Sequence, residues 1–382
     1  MRVAIIGAGL GGLTAAIALA QRGIAPVVHE QAPALGEVGA GITISPNAGR
    51  VLDHLGLGPQ VRALGVLPGT QHVRDLASGA TIRTLERDAG LEARHGAPYR
   101  HLHRADLHGL LVRALLDAAP GSIRLGQRLV AVTPEGGLRF ADGSTAEADV
   151  VIGADGVRSA VRDSLFETDA PTFTGQVAWR GLVPAEALPE PVRCEPPGIF
   201  IGPGRLVLRY PVRGGALANY AVFVETAGWE EESWSIPSTR AELLCHLEGA
   251  CASVRALVDA TPEASLFKWA LFAREPLGTW IAGRVTLLGD AAHAMLPFMG
   301  QGAATAIEDG MVLARALAAF PPAEALARYE AARRERTAMV QLQSRLLGLR
   351  FQGKDPAALG RGPLRNEEEL GLFDYDPLGA PL

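Results

Sequence analysis

Lysine is almost missing from this chain of 382 residues: only Lys268 and Lys354 occur, and arginine carries nearly all of the positive charge. The net charge of −5 and the lack of any long basic run remove the phosphate-neutralising surface that a nucleic-acid partner requires. Cysteine is scarce too. Cys194, Cys245 and Cys251 form no CxxC pair, which argues against a disulfide framework or a metal site and fits a reducing cytoplasm. No stretch approaches the roughly 18 uninterrupted apolar residues of a membrane span. The opening run MRVAIIGAGLGGLTAAIALAQRG has the outline of a secretion signal, but glycines at positions 7, 9, 11 and 12 break it, so export is not expected. What is present is a chain 48% hydrophobic and only 20% charged, long enough for two or three domains around a large core.

Residues 2–6 are a β-branched run ending in glycine, residues 10–22 an Ala/Leu-rich helix stopped by Gly23, and residues 25–30 a second strand. Together they make a βαβ unit. Helices are expected over 47–55 and 106–119, and strands near 128–132, 137–140 and 149–152. From 171 to about 269 the texture changes to alternating runs such as GQVAWRGLV, RLVLRYPV and ALANYAVFV, which suggest an antiparallel sheet. Residues 284–288 return to the buried-strand style, 322–351 read as a long helix, and the Gly-, Pro- and acid-rich tail after 352 reads as irregular.

Gly7-Ala8-Gly9-Leu10-Gly11-Gly12 satisfies GxGxxG between a strand and a helix, the context in which that motif holds a pyrophosphate. Gly7, Gly9, Leu10 and Gly12 are therefore expected to touch a dinucleotide, with the helix N-terminus facing its phosphates. Glu30, ending the second strand, is placed to take a ribose 2′-hydroxyl and disfavours a 2′-phosphate. The fingerprint does not separate FAD from NAD. The stretch LLGDAAHAMLPFMGQGAATAIEDG at 287–310 does. Asp290 at the end of a buried strand can bond the ribityl hydroxyls that only a flavin carries. Gly300, Gly302 and Ala303 open a helix whose positive end would meet the edge of the flavin ring where negative charge develops. His293 reads as a structural hydrogen-bonding group.

A third element, VIGADGVRSAVR at 151–162, places Asp155 at another strand end, with Ser159 and Arg162 following. GxGxxG early, DGxxSxxR in the middle and GD…P…GxG late resemble the single-component FAD-dependent aromatic hydroxylases. AWRG at 178–181, YPVRGG at 210–215 and GQGAATAIED at 300–309 are similar to the salicylate hydroxylase-like branch of the 4-hydroxybenzoate hydroxylase family. The resemblance covers roughly residues 1–350. It implies an α/β fold with a Rossmann-like FAD-binding domain built from separated segments (1–70, 98–170 and 275–320). A substrate domain on a mostly antiparallel sheet (71–97 and 171–274) is inserted, followed by a long C-terminal helix (321–351) and an irregular tail (352–382). It also implies Arg104 and the backbone of Val130 as FAD contacts, and Pro297 beside the reactive ring edge with Phe298 and Met299. NADH or NADPH would bind transiently, O2 would be consumed, and a flavin C4a-hydroperoxide would hydroxylate a small aromatic substrate.

Two departures qualify the likeness. The halogenase signature WxWxIP is half echoed at 232–237, but Glu232 stands at the first Trp and no lysine precedes Lys268, so that rival is not expected. A urate-like or other N-heterocycle remains an alternative substrate, and a non-catalytic flavoprotein that sequesters an aromatic compound a lesser one. Several phenol hydroxylases of this type place a histidine or tyrosine in the central strand that here reads Arg205-Leu206-Val207-Leu208-Arg209-Tyr210, with no histidine. Alternation puts Arg205, Val207 and Arg209 on one face. Either Arg205 or Arg209 anchors an anionic substrate near Tyr210 or Tyr220, or both face solvent or an acid. A monomer or homodimer in the cytoplasm is expected.

Overall fold

The computed structural model describes residues 1–36, 40–166, 170–226, 228, 236–353 and 366–382. Most of the halogenase-like echo, residues 232–235, and Lys354 lie outside these residues. The strand Val3–Ile6, buried at all four positions, runs through the middle of a six-stranded sheet. Its order is Ile281–Ala282, Val285–Leu287, Val150–Gly153, Val3–Ile6, Pro26–His29 and Ile123–Arg124. All pairs are parallel except the edge pair of Ile281–Ala282 with Val285–Leu287. Strands buried on both faces explain why the sequence shows continuous apolar runs there and no alternation. The helices Leu10–Ala20 and Gly302–Ala319 cross on one face almost backbone to backbone: a Cβ on Gly310 would lie 2.7 Å from the amide nitrogen of Ala15.

The eight-stranded sheet combines residues from 69–87 with the later strands. Its order is Ile236–Pro237, Phe267–Ala273, Thr172–Pro184, Leu217–Glu225, Arg205–Val212, Gly198–Gly202, Gly69–Asp75 and Thr81–Arg87. Only Gly198–Gly202 and Gly69–Asp75 pair in parallel. One face packs Trp179, Val207, Tyr220 and Val222 against Leu243, Val254 and Leu257 of the helices Arg240–His246 and Ala252–Asp259. The other face carries Ala178, Leu206, Phe223 and Leu271 toward Leu296, Phe298 and Phe351. We call these the outer and inner faces.

The helix Pro322–Phe351 runs along Gly302–Ala319 and ends with Phe351 in the inner-face cluster. No helix among the described residues is long and apolar enough to cross a membrane. Residues 366–382 form turns without helix or strand, yet they are firmly packed. Leu372 and Phe373 are fully buried with Leu91, Tyr99 and Met299, and Glu367 and Glu369 pair with Arg87 and Arg83 at 2.7 and 3.0 Å.

Candidate active site

The glycine turn after Val3–Ile6 is shaped by backbone contact. Gly7 has φ +104°, and a Cβ there would lie 2.5 Å from the carbonyl oxygen of Ala154. The next glycine differs: the Cβ position of Gly9 meets nothing within 4 Å. Helix Leu10–Ala20 starts at Gly9 with no side-chain cap and no acid in its first turn, so its first N–H groups lack the acceptor that a cap supplies. A cleft of about 230 Å³ opens here, lined by Gly7, Gly9, Glu30, Leu129, Asp155 and Arg158 among others. Glu30 braces this turn. One carboxylate oxygen accepts from the Ala8 amide and the other from the Ala32 amide, both at 2.8 Å, and each keeps a lone pair for a further donor. Val130, beside Leu129, is partly exposed.

Asp155 is held by the segment after it, accepting from Ser159 Oγ at 2.6 Å and from the Val161 amide at 3.1 Å. Burial raises its pKa and these bonds resist the rise. Ser159 caps the helix Ala160–Leu165 through the Arg162 amide. The buried Arg162 donates to the Val157 and Ala291 carbonyls, which ties this loop to the segment containing Asp290.

Asp290 is exposed at the end of its strand, and no hydrogen bond reaches its carboxylate from the described residues. Burial by the surrounding protein raises its pKa, with the charges of His293 and Arg104 opposing. Pro297 and Gly300 are exposed. Helix Gly302–Ala319 begins at Gln301 with neither a side-chain cap nor a first-turn acid, leaving the amides of Gly302 and Ala303 among its orphan donors. Beneath this helix start lies a closed ionic cluster. Asp309 accepts from His293 Nε2 at 2.5 Å, the Gly289 amide at 3.1 Å and Arg333 at 2.7 Å. Glu308 pairs with Arg333 and Arg336 and accepts from Asn47, which also donates to Gln301. Composition carried one signal for this cluster: two adjacent acids in the otherwise apolar run ATAIEDGMVLA.

The sheet wall corrects the reading of the arginine strand. Arg205, Val207 and Arg209 do share a face, but it is the outer one. Arg205 donates to the carbonyls of His246 and Glu248, and the buried Arg209 pairs with Glu195 at 3.3 Å, a carboxylate it shares with Arg74. Neither reaches the cleft, because helices cover that face. Tyr220 is also on the outer face and bonds Thr261. Tyr210 takes the inner face, its ring stacked on His101 at 4.3 Å. His101 was not anticipated. Arg87 Nε donates to Gln71 Oε1 at 3.1 Å, which orients the amide so that Gln71 Nε2 donates to His101 Nε2 at 3.2 Å. His101 is therefore neutral with its proton on Nδ1, donated to Thr43 Oγ1 at 3.1 Å. Burial, then the charge of Arg87, lowers its pKa to about 3. Arg104 opens the helix Arg104–Ala118 and is exposed, and Asp106 in the same helix pairs with Arg213. A groove of about 470 Å³ beside Leu296 and Phe298 shares none of the residues that line the glycine cleft.

The family described as FAD binding domain matches residues 1–344. The chain is 40% identical to a 3-amino-4-hydroxybenzoate 2-monooxygenase of Streptomyces platensis, over 93% of this chain and 89% of that protein. The chain belongs to the FAD-dependent aromatic hydroxylases. This hydroxylase is also 38% identical to a 6-hydroxynicotinate 3-monooxygenase of Pseudomonas fluorescens, over 100% of this chain and 96% of the relative. A solved Klebsiella pneumoniae protein, in complex with FAD and uric acid, superposes with a TM-score of 0.85 at 30% identity, covering 100% of this chain and 97% of that one. The residues present fit FAD. The hydroxylase offers open space at Gly9, two helix starts without caps and, at Asp290, an exposed carboxylate that no described donor reaches.

Proposed function

We propose that this hydroxylase uses NADH or NADPH and O2 to place one hydroxyl group on a small anionic aromatic ring, a hydroxybenzoate- or hydroxynicotinate-like acid. The observation that carries the reading is the pairing of two unlike walls. One offers uncapped helix starts and Asp290, and the other is a sheet face lined with Leu206, Tyr210 and Phe223 and closed by Phe298 at 5.2 Å from Phe223. FAD held there supplies redox chemistry that links NAD(P)H oxidation to oxygen insertion, with the second oxygen atom leaving as water.

The chain's own residues bind and orient. Glu30 and Asp290 accept hydroxyl hydrogens of the cofactor, and the amides opening helix Gly302–Ala319 stabilise negative charge on the ring edge nearest them. Phe223, Phe298 and Leu206 exclude water from the reacting ring. Burial keeps the Tyr210 hydroxyl protonated, so it acts as a hydrogen-bond donor and not as a base. His101 is neutral with both ring nitrogens engaged, so its part is to hold Tyr210 in place.

The names of the relatives support a ring bearing a carboxylate, whereas the uric acid in the Klebsiella pneumoniae complex supports a urate-like reading. One panel separates them. Hydroxybenzoates, 6-hydroxynicotinate and urate are offered with NADH and NADPH while reductant oxidation, oxygen uptake and incorporation of labelled oxygen into product are followed. An acid should stimulate turnover and be hydroxylated. A shift in the flavin spectrum without turnover would instead identify a binding protein.

A further inference from the structure

Arg180 occupies the strand Thr172–Pro184 opposite Ala221 on one neighbour and Phe267 on the other. It lies on the inner face, two residues after Ala178, so the smallest side chains of that wall flank it. Its guanidinium stands over the rings of Phe267 and Trp269, 5.7 and 5.5 Å from their centroids. Among the described residues no carboxylate pairs with it, and its Nε is buried without a hydrogen-bond partner.

The other sheet arginines make the contrast: Arg205 has two backbone carbonyls, and the rest have carboxylates. Arg74 and Arg209 share Glu195, Arg83 has Glu369, and Arg87 has Glu367. Burial, and then the charge of Arg104, disfavours the Arg180 cation, and Arg104 also acts on Asp290. A half-buried cation with no anion beside it is costly. The two aromatic rings offset only part of that cost. The pyrophosphate-binding turn at Gly9 belongs to the other sheet, whereas Arg180 shares its face with Leu206, Tyr210 and Phe223.

We propose that Arg180 anchors the carboxylate of the aromatic substrate, its planar fork receiving the two oxygens while Ala178 and Ala221 leave room for the ring. This rests on the hydroxylase reading above and names the group that selects acids over neutral rings. A guanidinium suits that task because it presents paired donors in one plane.

The test uses holoenzyme and two kinds of probe: 3-hydroxybenzoate and 6-hydroxynicotinate, and their carboxamides, with Kd read from the flavin spectrum. In Arg180→Gln, Kd for the acids should rise roughly 10- to 100-fold, the loss of a charge-assisted pair. Kd for the carboxamides and the FAD content should not change, and Arg180→Lys should recover part of the acid binding. Equal weakening of acids and carboxamides, loss of FAD, or no change at all would overturn the proposal while leaving the hydroxylase reading intact. A wild-type protein that binds neither acid overturns the substrate class and this anchor together.

Discussion

Asp290 and Asp309 lie close enough to feel one another's charge, yet one is exposed and the other fully buried. Burial alone would raise both. At Asp309 the charges and hydrogen bonds of His293 and Arg333 outweigh burial and hold the carboxyl at about 2. At Asp290 no described donor arrives, and burial keeps it raised. The same contrast recurs among the arginines of the large sheet, where Arg209 is closed by Glu195 and Arg180 is not. A charge completed by its own protein belongs to the fold, and one left incomplete on a cleft belongs to a ligand.

The contrast breaks first at Asp309. Asp309→Asn leaves Arg333 short of a buried partner and should cost about 3–5 kcal/mol of stability in urea unfolding. A loss below 1 kcal/mol would mean that the cluster is not structural. The effect depends on pH. Because the folded pKa of Asp309 is depressed, its contribution is complete above the unfolded value and fades as pH falls toward the folded value near 2. The gap between wild type and variant should therefore narrow as pH drops below about 4.

On the outer face, Arg209→Met removes a charge-assisted bond worth roughly 1.5–3 kcal/mol and should lower stability while leaving FAD and substrate affinity alone. If substrate Kd rises with it, the assignment of faces is wrong. Asp290→Ala should do the reverse. FAD affinity should fall by about one to two decades, for roughly 1–3 kcal/mol of lost hydroxyl bonding, with apoprotein stability unchanged in a calorimeter. The smallest effect is expected at Glu30→Ala. Losing an acceptor should weaken FAD by about fivefold and leave the reduction rate of FAD-saturated enzyme the same in rapid mixing.

The dinucleotide half was readable because its chemistry is local. Gly7, Gly9 and Glu30 lie within one βαβ unit, and strand, turn and helix each carry their own signal. The large sheet was readable as strands but not as faces. Alternation fixed which of Arg205, Leu206, Val207, Leu208, Arg209 and Tyr210 are together, but both faces are covered, so no polar side marked the outside. Taking the arginine face as the pocket face therefore placed Arg205 and Arg209 in the wrong layer. His101 was missed for a different reason: its partners Gln71, Thr43 and Arg87 come from separate segments, and only tertiary pairing brings them together. The packing of the tail gave no periodic signal, since Leu372 and Phe373 are isolated apolar residues among acids and glycines.

That tail has a bearing on how the protein is made. Phe373 packs at 6.1 Å from Tyr99, and Glu367 holds Arg87, which orients Gln71 against His101. Val3–Ile6 must wait for Val150–Gly153, almost 150 residues later, before that side is paired. The wall behind Tyr210 waits longer still, until residues 367–373 have emerged. Translation at about 5–20 residues per second therefore imposes a delay between the emergence of the glycine turn and the completion of that wall. A ribosome stalled just short of Glu367 would display the glycine turn and Asp290 with the support behind His101 still unbuilt, so the two sheets of one chain mature at different times.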